Sequence, residues 1–210
     1  MEHGYLIVSN ANKIEDGKMK VQSSNLYFTS DLHIFHTNII KYCKRPFQNV
    51  DEMNHAIISR WNEKITSADH VYVLGDVCFA NAQAAASILR CLNGTISLIK
   101  GNHDRKLLKE ASFRDRFSRI EDVYELDVED ESSKHGQKIV MCHYAMKVWN
   151  KSHLGSWHLY GHSHGSLPDD PSSLSIDVGV DSHDFRPWSY QEIKTRMKLK
   201  NFKPIDRHGE

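Results

Sequence analysis

Long apolar runs are the first feature that this sequence lacks. No stretch approaches the roughly 20 apolar residues that a membrane-spanning helix needs. The start of the chain, Met1-Glu2-His3-Gly4, has neither the basic residues nor the apolar core of a secretion signal. We therefore predict no membrane partner, and we expect a cytoplasmic location.

Two further absences narrow the class of protein. The chain carries 27 basic and 27 acidic residues, so its formal net charge is zero and no overall positive charge points to nucleic acid. Its 4 cysteines include no C-x-x-C pair, which excludes the common zinc-ribbon and redox motifs. Reduced thiols in a reducing compartment are the simpler interpretation.

The length of 210 residues suits one domain with a sizeable core. We predict a single domain over residues 26–200, an N-terminal extension over residues 1–25 and a polar tail over residues 201–210. Within the extension, residues 5–8 and 18–22 are apolar enough for strands. The polar segment between them contains Gly17, which favours a hairpin.

Apolar patterning predicts an alternation of strands and helices. The predicted strands are residues 26–29, 71–74, 95–99, 124–128, 138–142, 157–160 and 174–178. The predicted helices are residues 51–65 with Asp51 as N-cap, residues 83–92, and one that begins at Ser189 with a capping-box spacing to Glu192. Because helices and strands alternate early and strands dominate later, we predict an α/β fold with two mixed sheets covered by helices.

Histidine is abundant, with 14 copies, and its positions matter more than its number. Five predicted strands end in short polar clusters that contain metal-capable side chains. The clusters are Asp31-x-His33, Gly75-Asp76, Gly101-Asn102-His103-Asp104, His143 and Gly161-His162-Ser163-His164. Neighbouring strand ends share one rim of a sheet, where α/β proteins build their sites.

The donor set indicates a metal site. Mixed carboxylate and imidazole ligands suit manganese, iron, zinc or nickel. They are too many for one tetrahedral zinc ion, and they fit two ions about 3.5–4 Å apart that share a carboxylate and a hydroxide. A hydroxide held in this way is a nucleophile at neutral pH, because the metals lower the pKa of water.

In their order and type, the five clusters resemble the motifs of the calcineurin-like metallophosphoesterase superfamily. The segments from His36 to Phe47 and from Val178 to Pro187 are similar to those of its small bacterial and phage-type members. The resemblance implies a four-layer α-β-β-α sandwich with the metal site at the C-terminal rim of the strands. No Asp-Arg-Gly follows Gly75-Asp76, which counts against a phosphoprotein substrate.

The resemblance also implies a role for each residue. Asp31, His33 and His164 would hold the first metal, Asn102, His143 and His162 the second, and Asp76 would bridge them. His103 would be the general acid, with Asp104 orienting it. Asn102 would also contact substrate.

Four side chains near the clusters have open roles. His36 is either a substrate contact or a helix cap, and Arg45 is either a phosphate clamp or a solvated loop residue. Asp181 and Asp184 are candidates to support ligating histidines.

These residues predict a dinuclear phosphoesterase, with manganese as the first-choice metal, that acts on a small phosphorylated or nucleotide-like compound. A phosphodiester is favoured, because His103 could protonate a poor alkoxide leaving group. A nuclease on short single-stranded nucleic acid stays open, because residues 100–119 are rich in basic side chains. A phosphomonoesterase and an inactive metal-binding scaffold stay open as well. No obligate protein partner is evident, and a homodimer is compatible with the sequence.

Overall fold

A computed structural model of the chain describes residues 12–15, 18–130 and 136–206. The strands in this part are β1 (Asn12–Glu15), β2 (Lys18–Gln22), β3 (Leu26–Thr29), β4 (His70–Val73), β5 (Thr95–Ile99), β6 (Arg119–Glu121), β7 (Val123–Glu129), β8 (Gln137–Cys142), β9 (Trp157–Tyr160), β10 (Ser175–Asp177) and β11 (Trp188–Ser189). The α-helices are α1 (Thr37–Tyr42), α2 (Val50–Lys64), α3 (Ala82–Arg90), α4 (Ala111–Arg114) and α5 (Tyr190–Lys198).

The strands form two mixed sheets. The five-stranded sheet has the order β11-β3-β4-β5-β6, in which β3 to β6 are parallel and β11 is antiparallel at the edge. The six-stranded sheet has the order β1-β2-β7-β8-β9-β10, in which β8, β9 and β10 run parallel. This arrangement confirms the predicted α/β class with two mixed sheets.

The two sheets pack face to face through one apolar core. Phe28 and Tyr72 of the five-stranded sheet stack with their ring centroids 5.8 Å apart, and Leu126 and Leu159 come from the six-stranded sheet. Tyr190 of α5 joins this core and stacks on a tryptophan of β9. Since such side chains are withdrawn from water, each contributes about 1.5–3 kcal/mol of burial.

A second core lies on the outer face of the five-stranded sheet. The apolar faces of α2 and α3 pack there on Val71, Val73 and Leu98. The outer face of the six-stranded sheet is covered differently. His158 of β9 accepts a hydrogen bond from the Met146 backbone N–H at 3.0 Å and contacts the ring of Trp149, so this loop lies over it. Among the residues that the structure describes, no helix combines the length and apolarity that crossing a bilayer requires.

The helix starts show where local chemistry was predictable. The capping box of Ser189 and Glu192 is present at α5 as predicted. The predicted N-cap at Asp51 is wrong: the Asn49 side chain accepts from the Glu52 backbone N–H at 2.9 Å, so α2 begins at Val50. Asn49 has the extended backbone that a capping residue requires.

The N-terminal hairpin joins β1 to β2, which are separated in sequence by Asp16-Gly17, a dipeptide typical of two-residue hairpin turns. The polar segment that was predicted to connect two strands therefore contains β1 itself. The strand predicted over residues 5–8 lies outside the described residues. Strand β2 pairs in parallel with β7, through Lys20 beside Asp127. The hairpin thus extends the six-stranded sheet.

Candidate metal centre

Backbone hydrogen bonds hold the strand ends in register beyond the strands themselves. The Asp31 N–H donates to the Gly75 carbonyl and the His33 N–H donates to the Asp76 carbonyl, both at 3.0 Å. The turns after β3 and β4 therefore run side by side. Because β3, β4 and β5 are parallel, the turn after β5 arrives at the same edge.

One group of donors consists of Asp31, His33 and His164, whose ligand atoms all lie within 4.8 Å of one another. Asp31 and His33 are fully buried or nearly so, with 0% and 2% exposure. Asp31 Oδ1 and His33 Nε2 are buried without a hydrogen-bond partner among the described residues. A buried polar atom without a partner costs free energy, so two such atoms at one point fit a bound cation.

The other group consists of Asp76, His143 and His162, again with ligand atoms within 4.8 Å. His143 Nδ1 lies 2.6 Å from the Leu74 carbonyl, so this nitrogen carries the proton and Nε2 is free as a ligand. Asn102 Oδ1 lies 3.1 Å from the same Nε2. The structure thus brings all seven predicted ligands to one rim, while their individual roles stay predictions.

The backbone at this rim is unusual. Asp31, His33, Asp76, His162 and His164 all have positive φ, between 49° and 67°. This left-handed conformation is uncommon for residues other than glycine, and each instance costs of order 1–3 kcal/mol. Such concentrated strain at five of the predicted ligands is typical of a functional site, where the surrounding structure imposes the conformation.

Glycine at 75 and 161 permits a close approach of the strand ends. A Cβ at Gly161 would lie 2.0 Å from Ser30 Oγ and 2.5 Å from Asp31 Oδ2. A Cβ at Gly75, where φ is 93°, would lie 2.6 Å from the Gly101 backbone. Both positions therefore need glycine for space, which explains the residue that precedes Asp76 and the one that precedes His162.

Arg45 and Asp181 position His164, a member of the first group. The Arg45 guanidinium binds both carboxylate oxygens of Asp181 at 2.8 Å and donates to the Leu32 and Asp31 carbonyls. Asp181 Oδ2 lies 2.7 Å from His164 Nδ1, which leaves His164 Nε2 facing Asp31. The prediction that Asp181 supports a ligating histidine is therefore consistent with its contacts.

The prediction of Arg45 as a phosphate clamp is not supported. The side chain is buried, and each of its three nitrogens donates to a protein acceptor. The guanidinium is therefore not available to bind a substrate phosphate. Asp184, the other predicted support, pairs instead with Arg60 and Arg186 near the surface.

Charge and burial oppose each other at the Asp181–His164 pair. Burial raises the pKa of Asp181, but the hydrogen bonds from His164 and Arg45 outweigh it and hold the pKa below its usual value. Burial lowers the pKa of His164, but the Asp181 hydrogen bond and the charge of Asp31 outweigh it, so the net shift is upward. The hydrogen bond between the two side chains thus favours the charged form of each.

The Asp104 side chain binds backbone groups of the turns after β4 and β5. Its buried carboxylate accepts hydrogen bonds from the backbone N–H groups of Asp76, Val77 and Gly101 at 2.8–3.0 Å. Among the described contacts, none joins Asp104 to the His103 imidazole, so the predicted orienting role is not supported. Because these amides belong to the turns that carry Asp76 and Asn102, Asp104 fixes the position of two predicted ligands.

His103 lies at the open side of the centre. Its side chain is 46% exposed, and Nε2 lies 3.9 Å from Asp76 Oδ2. The His103 backbone N–H donates to Asp76 Oδ1 at 3.0 Å, which ties the residue to the bridging candidate. A solvent-facing imidazole beside the donors is where a general acid is needed.

His36 belongs to the same neighbourhood. Its Nδ1 lies 3.2 Å from His33 Nδ1, and its ring stacks on Phe79 with centroids 3.8 Å apart. Burial, together with the neighbouring His33 and His103, lowers the pKa of His36 to about 4. His36 occupies the N-cap position of α1, but its side chain makes no capping hydrogen bond. The substrate role stays a prediction.

Phe79 was not singled out from the sequence. Its ring contacts His33, His36 and His103, with centroids between 3.8 and 5.2 Å apart. The available signal was an aromatic residue three positions after Asp76, in the turn that carries a predicted ligand.

Two sheets, a shared rim and a donor set of carboxylates and imidazoles define a metal-binding α/β domain. The sequence model of the calcineurin-like phosphoesterase superfamily domain matches residues 25–175. The chain belongs to this superfamily, as its motifs predicted, and is accordingly a member of a family of phosphoesterases.

Relatives were found among archaeal and phage proteins. An uncharacterized protein of Methanocaldococcus jannaschii is 35% identical over 175 residues, which cover 80% of this chain and 88% of that protein. The Gene 66 protein of Mycobacterium phage D29 is 36% identical over 85 residues, covering 39% of this chain and 41% of its own length. A solved structure, a protein of unknown function from Aquifex aeolicus, has 22% identity and a TM-score of 0.59, and it covers 81% of this chain and 98% of that one. This last likeness shows a shared fold.

Proposed function

We propose that this chain is a metal-dependent phosphoesterase that binds two divalent ions and hydrolyses phosphodiesters of small nucleotide-like compounds. Manganese is the expected metal, and iron, zinc and nickel suit the same donors. The observation that carries the proposal is the position of Asp76. Its Oδ2 lies 3.6 Å from both His33 Nε2 and His143 Nε2, so one carboxylate can serve both donor groups.

The residues present fit such a pair of ions. Asp31, His33 and His164 would hold one ion, and Asn102, His143 and His162 the other, with Asp76 shared. The unpartnered atoms of Asp31 and His33 support this assignment. When bound, two divalent ions would lower the pKa of a water molecule and draw charge from the phosphate oxygens.

The protein's own groups would do the rest. His103 faces solvent beside Asp76 and would give its proton to the oxygen that leaves phosphorus. An alkoxide leaving group, such as that of an alkyl phosphodiester, needs this proton most. The backbone hydrogen bonds to Asp104 would keep the turns that carry Asp76 and Asn102 fixed during the reaction.

Part of the positive charge of residues 100–119 is neutralised by neighbouring carboxylates. Lys100 pairs with Asp122, and Arg119 pairs with Glu121. Arg114 donates to two backbone carbonyls of its own segment. Because two of these cations are paired with carboxylates, the segment carries less unbalanced positive charge than its composition indicated.

The test is an assay on protein stripped of metal and resupplied with one divalent ion at a time. We expect manganese-dependent hydrolysis of bis-p-nitrophenyl phosphate, well above that of p-nitrophenyl phosphate. A monoester preference would overturn the diester assignment. Turnover of single-stranded oligonucleotides above that of small diesters would identify a nuclease. Inactivity with manganese, iron, zinc and nickel would favour a metal-binding scaffold.

A further inference from the structure

Two separate clefts open beside the metal centre, and they share no lining residue. One, of about 620 Å³, is lined by Phe79, Lys106 and neighbouring side chains. The other, of about 380 Å³, is lined by side chains that include Tyr42, Lys44, His162 and His164. Both volumes fall within the range of roughly 300–1,000 Å³ that is usual for small-molecule sites.

A row of rings connects the clefts. Tyr42 lies 6.3 Å from His36, His36 lies 3.8 Å from Phe79, and Phe79 lies 4.7 Å from His103, measured between ring centroids. His33, a predicted ligand, contacts the middle of this row. A substrate with its phosphorus at the centre could therefore extend along the row in both directions.

Each cleft pairs an aromatic ring with a lysine. Phe79 and Lys106 line the larger cleft, and Tyr42 and Lys44 line the smaller one. The Tyr42 side of the smaller cleft is open, since Tyr42 is 69% exposed. Aromatic faces stack on planar bases or aryl groups, and a lysine beside the centre attracts the negatively charged phosphate of the diester.

The position of His103 distinguishes the clefts. A general acid must lie next to the oxygen that leaves. The ring of His103 contacts Phe79, and Lys106 follows His103 by three residues. His162 and His164 line the other cleft, and neither Phe79 nor His103 is among its lining residues. The leaving substituent therefore belongs on the Phe79 side.

Resting on the proposed function, we propose that the Phe79–Lys106 cleft binds the leaving group of a phosphodiester and that the Tyr42–Lys44 cleft binds the retained nucleoside. Water adds to phosphorus, the P–O bond to the leaving substituent breaks, and that oxygen takes a proton. The product that stays in the Tyr42–Lys44 cleft is a nucleoside monophosphate. This assigns the substrate class as a nucleoside phosphodiester with a planar leaving substituent.

The kinetic test uses two diesters with the same leaving group, the p-nitrophenyl esters of thymidine 5′-phosphate and of methyl phosphate. In Tyr42→Ala, we expect the preference in kcat/KM for the thymidine ester to fall about 5- to 100-fold. In Lys44→Met, KM should rise for both esters, because both carry the phosphate that the lysine attracts. In Phe79→Leu and Lys106→Met, KM should rise equally for both esters, so the preference should not change. Lys41→Met and Lys109→Met, exposed lysines outside both clefts, are the matched controls.

A binding measurement gives an independent readout. Calorimetric titration of the manganese-loaded protein with thymidine 5′-monophosphate should show weaker binding in Tyr42→Ala and unchanged binding in Phe79→Leu. The reverse pattern, or equal effects of the two variants, would overturn the assignment. So would unchanged kinetics in all four cleft variants of an active enzyme. A wild-type protein that hydrolyses no ester would instead refute the proposed function itself.

Discussion

The two donor groups of the metal centre differ in how firmly the fold holds them. In the first group, Asp31 and His33 are buried, and His164 is fixed by the Asp181 carboxylate and, through it, by Arg45. In the second group His143 is buried, but His162 is exposed. Among the described contacts, the His162 ring meets only the rings of His143 and Tyr144.

This difference indicates a division of labour. A buried group with fixed side chains is preorganised, so little free energy is lost when a cation binds. In the second group, the exposed His162 can adjust as ligands arrive, and it lines a cleft that is open to substrate. His103 stands on the exposed side, next to Asp76, which joins the two groups. Substitutions that affect one group and spare the other should therefore have separable consequences.

The largest effect is expected from Asp76→Asn, because Asp76 alone serves both groups. Several kcal/mol of charge stabilisation would be lost, so kcat/KM should fall by at least about 10³-fold. Metal analysis should also show fewer ions bound per chain. The exposed Asp122→Asn is the control, and it should retain wild-type values. A near-normal rate in Asp76→Asn would remove the basis of the shared-carboxylate site.

His103→Asn tests the exposed side alone. Loss of a general acid should lower kcat by about 10²–10⁴-fold for an alkyl diester, whereas bound metal should not change. The effect should be smaller for a p-nitrophenyl ester, whose leaving group hardly needs a proton. His55→Asn, an exposed histidine on α2, serves as the matched control. Equal losses for both esters would contradict the role of His103 as an acid.

Arg45→Ala tests the buried side. Without the guanidinium, the Asp181 carboxylate and two carbonyls lose their partner in the protein interior. Breaking a buried pair in this way costs about 3–5 kcal/mol, to be measured by urea denaturation. Arg60→Ala breaks a largely exposed pair with Asp184 and should cost less than about 1 kcal/mol. Equal costs in the two variants would mean that burial does not distinguish these arginines.

Arg45→Lys refines the same test in a folded protein. Lysine keeps the charge but cannot bind both Asp181 oxygens and two carbonyls at once. Metal affinity should therefore fall about 10–100-fold, as for other residues that orient a ligand from behind. The loss should concern one of two bound ions, visible as a second, weaker step in a manganese titration. Uniform weakening of both ions would contradict separate support for the two groups.

The contrast between Asp76 and Arg45 also shows what sequence could predict. Asp76 ends a short apolar strand after a glycine, so its place on the rim follows from local pattern and parallel pairing. The burial and pairing of the Arg45 side chain depend on Asp181, 136 residues later, and no local pattern encodes that contact. Similarly, the carboxylate of Asp104 binds backbone groups that reach it only after the strands have paired. The type and order of the predicted ligands could be predicted from the sequence, whereas the residues that position them could not.

His70 lies at the opposite end of β4, far from the rim and its two donor groups. Its Nε2 lies 2.9 Å from Ser97 Oγ, and burial, with a smaller effect from Arg119, lowers its pKa to about 4. The unfolded chain, with a histidine pKa of about 6.5, takes up this proton first as the pH falls. The stability that neutral His70 contributes is therefore complete above about pH 6.5 and is lost progressively as the pH falls toward about 4.

The substitution His70→Gln should remove this dependence while keeping a partner for Ser97. Between pH 7 and pH 5, we expect the wild-type free energy of unfolding to fall by roughly 1–2 kcal/mol more than that of the variant. Urea denaturation at the two pH values measures the difference. The substitution His55→Gln, at an exposed position on α2, is the control. Parallel losses in wild type and His70→Gln would show that His70 is not the source of the acid sensitivity.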